Sequence, residues 1–158
     1  MPQFGRSSKS RLETCHPDLQ RVFNRVVETY DCSILEGARE KSRQQMLFDT
    51  GKSTTLNSKH IPFEGWSYAV DAVPYPIAWG ENEQKALLTA MKNRDAQNIK
   101  KLMNEYKMVF ARFYNFAGFV QGVAAEMGVK IRWGGDWDSD RDFNDQKFHD
   151  LPHFELIR

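Results

Sequence analysis

Tyr68-Ala69-Val70-Asp71-Ala72-Val73-Pro74-Tyr75 is a short apolar run with one carboxylate at its centre. Apolar and β-branched residues bounded by turn formers read as a buried strand, and Pro74 and Pro76 end it. A buried charge is costly unless it is paired, so Asp71 needs a chemical reason. The preceding residues 51–67, rich in Gly, Ser, Thr, Asn and Pro, form a long loop. Loops of that length without structure of their own are commonly functional.

Working outward, His16-Pro17-Asp18 reads as a helix start, with proline at the first helical position and an acid in the first turn. Leu19, Val22, Phe23, Val26, Val27 and Tyr30 follow at three- and four-residue steps and form one apolar stripe. A short strand is expected within Cys32 to Arg39, and a helix over Glu40 to Thr50 closed by Gly51. Helices follow over Glu83 to Arg94 and Ile99 to Met127, the second with a broad apolar face and Gly128 as its cap. Gly118 and Gly122 inside it cost about 1 kcal/mol each against alanine, which points to close packing of another element against them. Val129 to Trp133 reads as a strand, residues 134–150 as an acidic loop, and Phe154 to Ile157 as a terminal strand. This order predicts an α+β domain over residues 14–158, with helices packed on a small, mainly antiparallel sheet. Residues 1–13, with Arg6, Lys9 and Arg11, read as a loose basic tail.

The chain has 158 residues, 41% hydrophobic and 27% charged, which suits one soluble globular domain rather than a disordered or membrane protein. A net charge of +1 gives no electrostatic case for nucleic-acid binding. No apolar stretch approaches the ~20 residues of a bilayer span, and the polar start lacks the hydrophobic segment of a signal peptide. Cys15 and Cys32 flank the first helix, which at about 14 residues would be roughly 21 Å long. A disulfide needs Cα atoms within about 7 Å, so the expectation is two free thiols and synthesis in a reducing cytoplasm.

The histidines are His16, His60, His149 and His153. His16 sits at a helix start and His149 in a loop, where structural or neutral roles suffice. His60 ends Asn57-Ser58-Lys59-His60 in the polar loop, eleven residues before Asp71, and His153 stands at the mouth of the last strand. Two histidines and one carboxylate are a usual catalytic zinc set, with the fourth position open to water. Such a site needs a base, and Asp150 is placed for it, because Pro152 biases Leu151 toward an extended conformation and stiffens the turn. Individually these residues are ordinary for a loop and two strands, and spacing alone leaves both readings open.

Ser58-Lys59-His60 through Ala69-Val70-Asp71, with Asp150-Leu151-Pro152-His153-Phe154-Glu155, resembles the two signatures of the peptidoglycan peptidases of the D-Ala-D-Ala carboxypeptidase (VanY-like) class, including phage L-alanyl-D-glutamate endolysins. His16-Pro17-Asp18-Leu19, Glu36-Gly37-Ala38-Arg39, Gly51-Lys52-Ser53 and Trp133-Gly134-Gly135-Asp136-Trp137 extend the likeness across nearly the whole chain. The resemblance implies the fold shared by these carboxypeptidases and hedgehog domains, with zinc held by His60, Asp71 and His153 and Asp150 as the acid/base. It also implies Arg39 as a substrate anchor, beside Gln44 or Gln45, of which Gln45 is preferred.

Ser58 and Trp137 are further candidates for substrate contact, whereas Trp133 suits the core equally well. The spacing from His60 to Asp71 is longer than relatives commonly show, so an inserted stretch within residues 61–67 is expected to bulge outward, with an effect on the substrate rim. Lengthening a loop is cheap, about 0.6 kcal/mol per doubling. Asp136, Asp138, Asp140, Asp142 and Asp145 alternate as in a calcium loop but lack its glycine and final glutamate, which favours a solvated acidic loop without calcium.

The expected activity is hydrolysis of the L-alanyl-D-glutamate bond of the peptidoglycan peptide stem, by a monomer made in the host cytoplasm and released through a holin. The alternatives are a D-alanyl-D-alanine carboxypeptidase or dipeptidase, and a non-catalytic wall-binding module of the same fold.

Overall fold

His16 caps α2 (Pro17–Val27) as expected, its Nδ1 accepting from the Asp18 backbone N–H at 3.2 Å. Leu19, Val22, Phe23 and Val26 of this helix are wholly buried. In the computed structural model, which describes residues 2–157, they pack on a four-stranded antiparallel sheet of order β1-β2-β4-β3. The strands are β1 (Cys32–Glu36), β2 (Ala69–Pro74), β3 (Ile131–Trp133) and β4 (His153–Leu156). The remaining helices are α1 (Arg6–Leu12), α3 (Lys41–Asp49), α4 (Glu81–Lys92) and α5 (Ala96–Glu126). The α+β class expected from element order is the one observed.

Alternation along the strands separates two functions. Ile34, Val70, Ala72, Phe154, Leu156 and Trp133 face the core with α2 and the second half of α5, where Phe116, Ala117, Val120 and Ala124 are buried. The intervening residues, Asp71, His153, Glu155 and Arg132, occupy the other face. Asp71 pairs with His153 across β2 and β4, and Glu155 pairs with Arg132 across β4 and β3. A bulge between Ile34 and Glu36 brings Glu36 opposite Asp71, so a strand irregularity delivers a third charged group to the same row.

Within residues 1–13, expected to be a loose tail, Arg6–Leu12 form α1 instead. That helix covers the open edge of β1: Arg11 Nη1 donates to the Ile34 carbonyl at 2.9 Å, and the Ile34 N–H donates to Ser8 Oγ at 3.1 Å. An exposed strand edge invites unwanted pairing, and here two side chains satisfy it. Gly118 and Gly122 also differ from expectation, since a Cβ at either would meet nothing within 4 Å and no packed neighbour compensates their flexibility. The first half of α5 packs against α4, outside the main core. Cys15 and Cys32 are both buried free thiols, and burial pushes each up to about 12.

The stretch between His60 and Asp71 bulges as expected. Phe63 and Trp66 exchange backbone hydrogen bonds of 2.9 and 3.1 Å around a two-residue turn, in which Glu64 and Gly65 take φ of 52° and 87°. Positive φ at both central residues is the tight hairpin turn that matches strand twist. The turn's base is closed by the Tyr68 N–H donating to the Lys59 carbonyl at 2.9 Å. None of residues 61–67 lines the cleft described below, so the bulge leaves the rim to other segments.

Candidate active site

The row on the polar face of the sheet opens into a cleft of about 640 Å³, whose walls include Arg39, Ser58, His60, Asp71, Trp137, Asp150 and His153. At its floor His60 Nε2 lies 3.0 Å from Asp71 Oδ1 and 3.2 Å from His153 Nδ1, and His153 Nδ1 lies 3.2 Å from Asp71 Oδ1. Ligands about 2.0–2.1 Å from a tetrahedral zinc stand roughly 3.3–3.4 Å from each other, so this triangle has nearly that size.

The outer sides of the rings decide what the inner sides present. His60 Nδ1 donates to the Gly37 carbonyl at 2.7 Å, and His153 Nε2 donates to Glu155 Oε2 at 3.1 Å. A carbonyl and a carboxylate only accept, so each ring keeps its proton on the outer nitrogen when neutral. His60 Nε2, His153 Nδ1 and Asp71 Oδ1 then aim three lone pairs at one point, an arrangement that calls for a cation.

Without metal a proton fills that need. Burial opposes charging His153, but its hydrogen bonds to Asp71 and Glu155 prevail and raise it to about 9. Burial likewise opposes the Asp71 charge, and His153 and His60 overcome it, holding the carboxyl well below the usual range. The donor set, its spacing and its lone-pair directions therefore fit zinc, which is bound by deprotonated ligands and releases protons on binding.

Each candidate ligand is placed by its element. Asp71 and His153 stand side by side on paired strands. His60 belongs to the loop, and its position is set by the Arg39 N–H donating to the His60 carbonyl at 2.8 Å and by Gly37. A Cβ on Gly37 would fall 2.2 Å from the Arg11 carbonyl, so only glycine lets this chain segment sit where its own carbonyl meets His60. Gly134 serves Asp150 similarly, since its backbone runs so close that a Cβ would lie 2.3 Å from the Asp150 carbonyl. The Asp150 N–H donates to the Gly134 carbonyl at 2.7 Å and the His153 N–H to the Asp150 carbonyl at 3.0 Å, which makes the stiff turn expected there. Burial, and then the neighbouring Asp71 charge, raise the Asp150 carboxyl above its ordinary value.

The remaining candidates divide. Arg39 lines the cleft, but its guanidinium is already engaged: Nε donates to Glu36 Oε1 at 3.0 Å, Nη2 to Glu36 Oε2, and Nη1 to Gln44 Oε1 at 2.7 Å. Its Nη2 stands 3.9 Å from Asp71 Oδ2. Ser58 lines the cleft and also orients the loop, its Oγ accepting from the His60 N–H at 3.2 Å. Trp137 forms part of the wall, its ring centroid 5.4 Å from that of His153, while Trp133 is buried in the core.

Gln45, the preferred glutamine, is not brought to the site; it is exposed on α3 and donates to Asp49 at 2.8 Å. The buried neighbour Gln44 is the one that faces inward, accepting from Arg39 and donating to Ser53 Oγ at 2.8 Å and to the Thr55 carbonyl at 2.6 Å. Glu155 carries no role of its own in the motif, yet its two-residue step from His153 along a strand puts both on one face. In the acidic loop Asp138, Asp140, Asp142 and Asp145 are exposed as expected of a solvated segment. Asp136 departs from that: it is buried, its Oδ1 has no partner, and one of its carboxylate oxygens lies within 4.8 Å of a carboxylate oxygen of each of Asp138 and Asp140.

The chain is similar to the L-alanyl-D-glutamate peptidase of Escherichia phage T5, 26% identical over 166 residues that cover 98% of each protein. Its structure is similar to the crystal structure of the Serratia marcescens L-Ala D-Glu endopeptidase ChiX, with a TM-score of 0.63 and 25% identity over 98% of this chain and 90% of that one. The family model for phage L-alanyl-D-glutamate peptidases matches residues 1–104 and 93–157, almost the full length, and the chain belongs to that family.

Proposed function

We propose that the chain is a zinc-dependent endopeptidase that hydrolyses the L-alanyl-D-glutamate bond of the peptidoglycan peptide stem, with His60, Asp71 and His153 holding the metal. The observation that carries this reading is the meeting of three lone-pair atoms at 3.0–3.2 Å, with each imidazole's outer nitrogen tied to an acceptor. Family membership supplies the substrate class.

Zinc bound there would polarise the scissile carbonyl and lower the pKa of a water to about 7. Asp150 is the base: among the described residues its carboxylate has no hydrogen-bond partner, and burial keeps it more basic than an exposed acid. It accepts the proton of the attacking water and delivers it to the amine nitrogen that leaves. Arg39 acts at the rim together with Glu36 and Gln44, and Trp137 shapes the wall on which the stem peptide lies. Ser58 holds the loop that carries His60.

Monomeric action, synthesis in the host cytoplasm and release through a holin belong to the same reading, with calcium not required. No described helix is long and apolar enough to cross a membrane. The test is digestion of purified peptidoglycan with and without a zinc chelator, followed by mass spectrometry of the new ends. New D-glutamate amino termini that disappear with the chelator are expected. Released D-alanine would instead identify a carboxypeptidase, and binding to walls without new ends a non-catalytic module.

A further inference from the structure

The two imidazoles that would hold zinc are anchored by different means. His60 leans on a backbone carbonyl, which no side-chain change removes, whereas His153 leans on Glu155. Glu155 is itself buried and spends both oxygens: Oε2 accepts from His153 Nε2 at 3.1 Å, and Oε1 accepts from Arg132 Nε at 3.1 Å and Nη2 at 2.5 Å. A carboxylate gripped at both oxygens cannot rotate away, and the Arg132 cation offsets the cost of burying its charge. Sheet pairing enforces the arrangement, because Arg132 is the register partner of Glu155 on β3.

Arg132 reaches further. Its Nη1 donates to the Trp137 carbonyl at 3.3 Å, and its guanidinium carbon lies 5.6 Å from the centre of the Trp137 ring. The chain His153–Glu155–Arg132–Trp137 thus runs without a gap from the candidate metal ligand to the cleft wall.

We propose that Glu155, held by Arg132, is a positioning residue that fixes the tautomer and tilt of the His153 ring, and that the same pair ties this ligand to the Trp137 wall. A neutral imidazole can carry its proton on either nitrogen, and only the form protonated on Nε2 leaves Nδ1 free to ligate. Glu155 selects that form because a carboxylate accepts and never donates. Partners of this kind typically contribute about 10–100-fold to metal affinity.

The inference rests on the zinc reading above, and the experiment separates the two. Zinc affinity is measured by competition with a chromophoric chelator for the parent, Glu155→Gln, Glu155→Asp and Arg132→Met, with thermal melts of the metal-free proteins alongside. The expected result is one tight zinc in the parent and affinity reduced about 10–100-fold in Glu155→Gln, with a smaller loss in the same direction in Arg132→Met. Nitrogen NMR of the zinc-loaded parent should show His153 protonated at Nε2.

A parent that takes up no zinc overturns the metal reading, and this inference with it. A parent that binds zinc while a folded Glu155→Gln binds it equally tightly overturns the role of Glu155 alone, whatever its melting temperature. Should Glu155→Gln fail to fold, Glu155→Asp and Arg132→Met both holding zinc as tightly as the parent would have the same force.

Discussion

The cleft has a floor built on strands and a rim built on loops and α3. On the floor Asp71, His153, Glu155 and Arg132 occupy adjacent positions of a hydrogen-bonded sheet, so their separation is set by the register. On the rim Arg39, Gln44, Ser58 and Trp137 depend on side-chain and loop hydrogen bonds. Atoms that share a metal must be placed within a few tenths of an ångström, whereas a rim that receives a flexible peptide can tolerate looser holding. His60 is the exception, a loop residue on the floor, and Gly37 and Arg39 secure it by hydrogen bonds of 2.7 and 2.8 Å.

The largest effects should follow from breaking the floor. His153→Ala or Asp71→Ala is expected to abolish stoichiometric zinc and reduce wall clearing to background, because two remaining ligands cannot keep a catalytic ion. Metal analysis of the purified variants alongside turbidity assays checks this. Asp150→Asn should keep its zinc and lose about 10²–10⁴-fold in rate, the usual contribution of a positioned acid/base. A variant that clears walls as fast as the parent would remove Asp150 from the mechanism.

The pH response sharpens the same contrast. In the metal-free protein His153 is raised from 6.5 to about 9, so its protonated form stabilises the fold fully below pH 6.5, and that contribution fades as pH rises toward 9. Glu155 moves oppositely, from 4.5 down to about 2, so its contribution is complete above pH 4.5 and disappears as pH falls toward 2. Resistance of the metal-free protein to urea should therefore weaken on both sides of an interval between about pH 4.5 and 6.5. With zinc bound, the alkaline decline should vanish, since His153 no longer holds the exchangeable proton.

Much of the floor was legible in the sequence through the resemblance of its two short signatures to a peptidase family, because its local signals alone left the structural and the metal-binding readings both open. A carboxylate inside an apolar strand, a histidine at the mouth of another and a proline-stiffened turn are ordinary one by one, and they point to a shared site only when read together as the two family signatures. Glu155 was equally accessible through the two-residue period of β4, had the strand been placed to begin at His153 rather than Phe154. The rim was less legible, as were α1 and the glycines of α5, because they depend on which elements meet. Nothing in Arg6–Leu12 announces that Ser8 and Arg11 will close the edge of a strand more than twenty residues away. Nothing in the spacing shows that the Glu36 bulge and α3 will meet around Arg39.

Gln44 and Gln45 provide the smallest and most discriminating test. They are adjacent in sequence and identical in type, so intrinsic helix preference cancels between them and only their surroundings differ. Gln44 is 1% exposed and joins α3 to Arg39, Ser53 and Thr55, whereas Gln45 faces solvent. Gln44→Ala leaves buried partners unsatisfied and should cost about 1–3 kcal/mol in urea unfolding. It should also raise KM more than it lowers kcat, because Arg39 and the loop at residues 53–55 lose their shared support. Gln45→Ala should stay within about 0.5 kcal/mol of the parent with unchanged kinetics. Equal effects from the two substitutions would show that the rim is not organised through Gln44, and Arg39 would then have to be held by Glu36 alone.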